Sequence, residues 1–252
     1  MAKLLKLKNL NNIILLLLLL VSCNDDKKNK YVIHKYDDGT YLKSNYFLEN
    51  NDTVLNGKCS IFYSNNKLKI SSELYRNEIN GKVNYYGIDG LLDSIKYIVN
   101  NKEIGETYWY HKNGNIFKYN FYDDLNNLNF YAIYDTLGNL ENCNGLILLE
   151  VNQFKLKKNN KPQFYKIGDK VKYKFMLPNI PNTTQDFKFE LIGYDNKKIK
   201  RKIKKIEPTS IEVEDIAVMK GNNTIKAYAK YMFKDKNKII LSDTISFQFF
   251  VK

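Results

Sequence analysis

From Val171 to the last residue the chain alternates between apolar and polar positions. Val171, Tyr173, Phe175 and Leu177 fall on one side of an extended backbone, and so do Phe187, Phe189 and Leu191. Ile225, Ala227, Ala229, Tyr231 and Phe233 form a third such row, and Ile245, Phe247, Phe249 and Val251 a fourth. A period of two marks strands with one buried face. The segments "IGDK", "PNIPN", "YDNKK", "KGNN" and "KDKNK" separate these rows with turn-forming residues. Several short alternating strands in about a hundred residues predict a β-sandwich over 145–252, with an immunoglobulin-like arrangement favoured.

Before residue 145 a longer rhythm holds. Phe62, Tyr86, Tyr110 and Tyr134 stand 24 residues apart; Asn66, Gly90, Gly114 and Gly138 follow each by four, and Leu68, Leu92, Ile116 and Leu140 by six. Gly57, Gly81 and Gly105 keep the same ruler, with Asn129 in the fourth place. Self-similarity at a fixed period of this length signals an array. One unit, "GETYWYHKNGNIFKYNFYDD", reads as strand, tight turn, strand. The turn glycines sit where positive φ is needed, and Asn66 is the usual substitute. The prediction is a stack of antiparallel β-hairpins over 36–144, with clear units at 57–141. A lone hairpin is marginal in water, which is why several are stacked. In the pairs Ile61-Phe62, Tyr85-Tyr86, Trp109-Tyr110 and Ile133-Tyr134, one member is expected on a buried face and the other in solvent.

The "G-x-x-x-x-Y-x-x-x-G-x-L/I" pattern of Gly81 to Leu92 and of Gly105 to Ile116 resembles the MORN-repeat variant of bacterial proteins often labelled antitoxin-like. The resemblance covers roughly residues 57–141, with a degenerate unit around 36–56. It implies a hairpin array used for contact with proteins or membrane surfaces, and no catalytic residues. The C-terminal part looks like the small Ig-like modules of bacterial surface proteins, without a hallmark Cys or Trp.

At the other end lies an apolar run, Ile13 to Val21, too short at roughly 14 Å of helix to cross a ~30 Å hydrocarbon core. Lys3, Lys6 and Lys8 precede it, and Leu20-Val21-Ser22-Cys23 follows. Basic flank, short apolar core and small residue describe a signal peptide over 1–22. The four residues ending at Cys23 resemble the lipobox of bacterial lipoproteins, which implies a diacylglycerol on the Cys23 thiol. The following "NDDKKNK" opens a polar tether, 23–35, and is similar to the export signal of surface lipoproteins in the Bacteroidota. The expected place is therefore the outer membrane, lipid-anchored, with the cell surface favoured over the periplasm.

Charge is uneven. Asn24 to Glu150 carries 14 basic and 17 acidic side chains, and Val151 to Lys252 carries 23 and 10. A net charge of +13 for the whole chain thus combines an acidic array with a basic second part. The densest stretch is "KKIKRKIKK". Read as one strand, it puts Lys198, Lys200, Lys202 and Lys204 on one face and Ile199, Arg201, Ile203 and Lys205 on the other. Together with Lys197 these cations make a candidate site for an anionic polysaccharide or lipopolysaccharide; nucleic acid is disfavoured. The bland alternative is an edge strand protected from aggregation by its lysines.

Catalysis has no motif to rest on. His34 and His111 lack metal-pair spacing, and neither H-E-x-x-H nor G-x-S-x-G occurs, so no enzyme, cofactor or metal is expected. A disulfide between Cys59 and Cys143 is disfavoured, since an extended array keeps them apart, although an oxidising envelope would permit one. Two functions remain: a lipid-anchored binding protein with the repeats as protein-contact scaffold and the basic part holding a polyanion, or an assembly lipoprotein whose repeats dock an envelope protein while the basic part is a cap.

Overall fold

The computed structural model describes residues 30–150, 164–206 and 209–252. It is an all-β protein built from an antiparallel hairpin array and two further sheets. The array runs through β1 (Tyr31–Lys35), β2 (Tyr41–Glu49), β3 (Asp52–Phe62), β4 (Leu68–Tyr75), β5 (Glu78–Ile79) and β6 (Gly81–Tyr86). It continues with β7 (Leu92–Val99), β8 (Lys102–Glu103), β9 (Gly105–Tyr110), β10 (Ile116–Tyr122), β11 (Leu128–Tyr134) and β12 (Leu140–Gly145). Neighbours in sequence are neighbours in the sheet, except that β5 and β8 fold back on β4 and β7 and leave β6 and β9 to carry the sheet on. The sequence places residues 31–35 in the tether. They are instead the first strand, paired with β2 from Tyr31 opposite Asn45 to Lys35 opposite Tyr41.

The 24-residue ruler is a ruler of turns. Asn66 N–H donates to the Tyr63 carbonyl at 2.9 Å, Gly90 to Gly87 at 2.8 Å, Gly114 to His111 at 2.9 Å and Gly138 to Asp135 at 3.0 Å. The four closing residues have φ of 65°, 90°, 86° and 84°, which only Gly or Asn adopts at little cost. At the opposite end of the sheet, Asn50-Asn51, Arg76-Asn77 and Asn100-Asn101 each have positive φ at both positions, as two-residue hairpin turns of matching twist require.

The leading glycines do something else. Gly57, Gly81 and Gly105, at φ of 92°, 126° and 66°, mark places where the ladder slips by two residues. Ser71 faces Asn84, yet Leu74 faces Ile79; 24 residues on, Ile95 faces Tyr108, yet Ile98 faces Glu103. Asn129 is not a positive-φ residue, and there the β10–β11 ladder shifts by one residue rather than two, from Phe121 opposite Phe130 to Tyr122 opposite Leu128.

The array is mostly a single layer. Ile61, Phe62, Tyr85, Tyr86, Trp109 and Tyr110 are all half-buried, and only in the fourth pair does one member, Tyr134, become buried. The expectation of one buried and one exposed member is therefore met in full by none of the four pairs: three are half-buried at both positions, and in the fourth Tyr134 is buried beside a half-buried Ile133. The reason is that the main buried cluster begins at Tyr119: Tyr119, Phe121, Phe130, Ala132 and Tyr134 share it with the C-terminal part.

That part contains β13 (Leu149–Glu150), β14 (Phe164–Tyr165), β15 (Lys170–Met176), β16 (Thr183–Leu191), β17 (Lys202–Ile206), β18 (Ser210–Ile216), β19 (Gly221–Phe233) and β20 (Ile240–Val251). One sheet has the order β13-β15-β18-β17 and the other β14-β20-β19-β16; all pairs are antiparallel except β14 with β20. The alternating rows of the sequence face inward. Tyr173 stacks on Phe247 with ring centres 5.0 Å apart, and Phe175 meets Phe187 and Phe189 at 5.7 Å, so aromatic rings from both sheets form the core.

Candidate functional site

The basic stretch is not one strand. Asp195 caps a single 3-10 turn, Asn196–Lys198, by accepting from Lys197 N–H, and β17 starts only at Lys202. Between them the interior claims two residues. Ile199 is buried, and Arg201 turns inward: its Nε and Nη2 each lie 2.8 Å from the Asp215 carboxylate, its Nη1 donates to the Phe189 carbonyl, and its guanidinium sits 4.7 Å from the centre of the Phe189 ring. Arg201 thus leaves the set of cations expected to meet a polyanion. Lys197, Lys198, Lys200, Lys202, Lys204 and Lys205 are exposed.

β17 is an edge strand, and its lysines face carboxylates. Lys202 stands opposite Glu214 and Lys204 opposite Glu212. On the other side of β18, Lys172 reaches Glu212 at 3.5 Å and Glu214 at 3.3 Å, and Lys170 reaches Glu214 at 3.1 Å. Lys170 first, then Lys172, holds the Glu214 carboxyl below the ordinary carboxylate range, and hydrogen bonds to Glu214 and Glu212 hold the Lys172 ammonium up. The outer face of this sheet is a Lys-Glu-Lys ladder with an excess of lysine, a milder field than the bare sequence implies.

A second site joins the two parts. Glu106 of β9 accepts four hydrogen bonds: Tyr119 OH at 2.7 Å, Tyr108 OH at 3.0 Å, Asn179 N–H at 2.7 Å and Asn179 Nδ2 at 3.2 Å. Tyr134 OH donates to the Pro181 carbonyl at 3.1 Å, and Leu140 N–H to buried Asp235 at 3.0 Å. Burial raises the Glu106 carboxyl above its ordinary value of 4.5 against these four donors. The folded state therefore holds the proton more tightly than the unfolded one, and this group's contribution to stability falls as pH rises from 4.5 through the raised folded value. In Glu106→Gln the group no longer titrates, so the fall in that window should flatten in urea melts at several pH values. At neutral pH the change should cost about 1–3 kcal/mol, because an amide N–H₂ replaces one acceptor oxygen before Asn179. No local pattern announces this carboxylate; the one hint is that the ruler puts Lys82 in its place a unit earlier.

The expected repeat residues stand where the ruler puts them. Tyr86, Tyr110 and Tyr134 end β6, β9 and β11, Gly90, Gly114 and Gly138 close turns, and Gly81 and Gly105 open the slips. His111 is a staple: its Nε2 lies 3.0 Å from the Tyr134 carbonyl, as Tyr63 OH, two units earlier, lies 2.8 Å from the Tyr86 carbonyl. Lys96 and Lys118 flank the Trp109 ring at 5.7 and 5.4 Å. Cys59 is buried, with its thiol pushed up by desolvation, and both Cys59 and Cys143 are free. Among the described residues no three His, Cys, Asp or Glu gather to hold a metal ion, and no helix is long and apolar enough to cross a membrane. Cys23, the expected lipidation site, lies outside the described residues.

No model of a known protein family matches this sequence, and no curated protein matches it.

Proposed function

We propose that this is a non-enzymatic, lipid-anchored interaction protein of a bacterial outer membrane, with the hairpin array as the contact surface. The observation that carries this reading is the uncovered layer. Three aromatic or aliphatic pairs along β3, β6 and β9 are half-exposed, while the last hairpins are fixed to the C-terminal part by a shared core and the Glu106 joint. A sheet held rigidly at one end and open on its surface suits docking better than catalysis. The lipobox-like Leu20 to Cys23 and the MORN-like ruler support anchor and array in this reading.

The immunoglobulin-like reading of the C-terminal part gains support from strand order. Counting β13 and β14 as one split first strand, the two sheets take the A-B-E-D and A′-G-F-C orders of that fold. Such a unit serves as a cap and spacer. Its lysine excess on β15 and β17 favours a second reading, capture of an anionic surface polysaccharide.

Crosslinking in intact cells tests the first reading. The full chain should capture an envelope protein, and Tyr85→Ser with Trp109→Ser should reduce that capture at least tenfold; unchanged capture would count against the array. For the second, binding to a carboxylated polysaccharide should fall roughly tenfold or more between ~50 and ~200 mM salt. Lys198, Lys200, Lys202 and Lys204 changed together to Gln should weaken it similarly. Indifference to salt and to the four substitutions would leave the ladder as edge protection alone.

A further inference from the structure

The glycine slips of the array open gaps in the sheet, and two of them can be compared residue for residue. At Gly105 the gap is filled. Lys96 pairs with Glu103 at 2.9 Å and the Thr107 hydroxyl donates to Glu103 on one face of the sheet, and Ile95 stands opposite Tyr108 on the other. At Gly81 the ruler replaces Ile95, Lys96, Ile104 and Tyr108 with Ser71, Ser72, Asn80 and Asn84. There the same slip leaves a cavity of about 360 Å³ between β4 and β6, with Cys59 among its lining residues.

Serine hydroxyls and asparagine amides are among its lining groups, and its rim is cationic. Asn84 Nδ2 donates to Ser71 Oγ at 3.1 Å, which leaves the Ser71 proton to be given elsewhere. Lys58 and Lys82 also line it, and Glu73 stands opposite Lys58 in the β3–β4 ladder. None of these three makes an ion pair among the described residues.

We propose that this notch binds an acidic sugar residue, a function separate from the basic C-terminal stretch and not resting on it. Hydroxyls and amides that both donate and accept match a polyol ring. Two ammonium groups against one carboxylate match a single carboxylate on that ring. The volume lies at the small end of the roughly 300–1,000 Å³ of ligand pockets, which suits one ring.

Ligand-observed NMR titration of the full chain in detergent micelles tests this, with D-glucuronate, D-glucose, acetate and a tetra-galacturonate as probes. Glucuronate should saturate with a Kd of about 1 mM, ordinary for a ligand of its size, and glucose and acetate should bind at least tenfold more weakly. Tighter binding of the tetramer would make the ligand a chain residue, and preference for the monomer a free sugar acid. Ser71→Ile with Asn84→Tyr, the residues the next unit carries on the same backbone, should abolish binding. Lys58→Gln with Lys82→Gln should weaken it at least tenfold. Ser60→Ala with Ser71→Ala, which face each other in the β3–β4 ladder, adds no bulk and should weaken it about fivefold, which keeps the test open if the filled variant fails to fold. No saturable glucuronate signal, equal binding of glucose, or binding untouched by the lysine and serine changes would overturn the proposal.

Discussion

Arg201→Ala should unfold the C-terminal unit about 3–5 kcal/mol more easily, the cost of breaking a buried ion pair from one side. Among the described residues the guanidinium is the hydrogen-bonding partner of the Asp215 carboxylate, which is 4% exposed, and it also holds the Phe189 carbonyl and the Asn196 side chain. Its loss strands one charge and joins three elements less tightly: β16, the 3-10 turn and β18. Lys200→Ala and Lys202→Ala, on exposed neighbours, should change stability by no more than about 0.5 kcal/mol. Urea melts followed by far-UV circular dichroism distinguish the cases. If Arg201→Ala melted with the lysine variants, the arginine would belong back with the surface cations.

Gly145→Ala should cost about 4 kcal/mol, combining backbone strain with a steric clash. Gly145 has φ of 120°, and a Cβ there would lie 2.0 Å from the Asn129 carbonyl oxygen and 2.7 Å from the Phe130 Cα. Both obstacles are backbone, so no side chain can swing aside. Leu146 N–H donates to that same Asn129 carbonyl at 2.7 Å, and buried Ile147 and Leu148 follow, so the clash falls where the array hands over to the shared core. Gly114→Ala, at φ of 86° with open space around its Cβ, carries only the conformational penalty and should cost about 1 kcal/mol. Thermal melts of the two variants should differ accordingly, and equal melts would contradict the clash.

What the sequence made legible were the features that depend on a residue's near neighbours. The rows through Val171, Phe187, Ile225 and Ile245 face inward because alternation is a property of the strand itself, and Asn66 stands at φ of 65° because a turn chooses its own residue. Features made by distant partners stayed hidden. Arg201 meets Asp215 across 14 residues and Glu106 meets Asn179 across 73, so neither showed in a local count of charges. The break of "KKIKRKIKK" at Ile199 follows from the same inward pull. Strand β1 was missed because "YVIHK" is short and directly follows the polar tether, and only pairing with β2 makes it a strand. The glycine column was seen as a repeat mark, but its role as a slip required the register, and the contrast between the open notch at Gly81 and the filled one at Gly105 required the backbone.

The central claim, an interaction protein held to a membrane by Cys23, is tested most directly by mass spectrometry of the mature N-terminal peptide from membranes. The proposal predicts a chain beginning at Cys23 with the mass of a diacylglyceryl group, and acyl chains where the cell adds them, on that residue. An N-terminal peptide retaining Ser22, or a Cys23 peptide at unmodified mass, would contradict it.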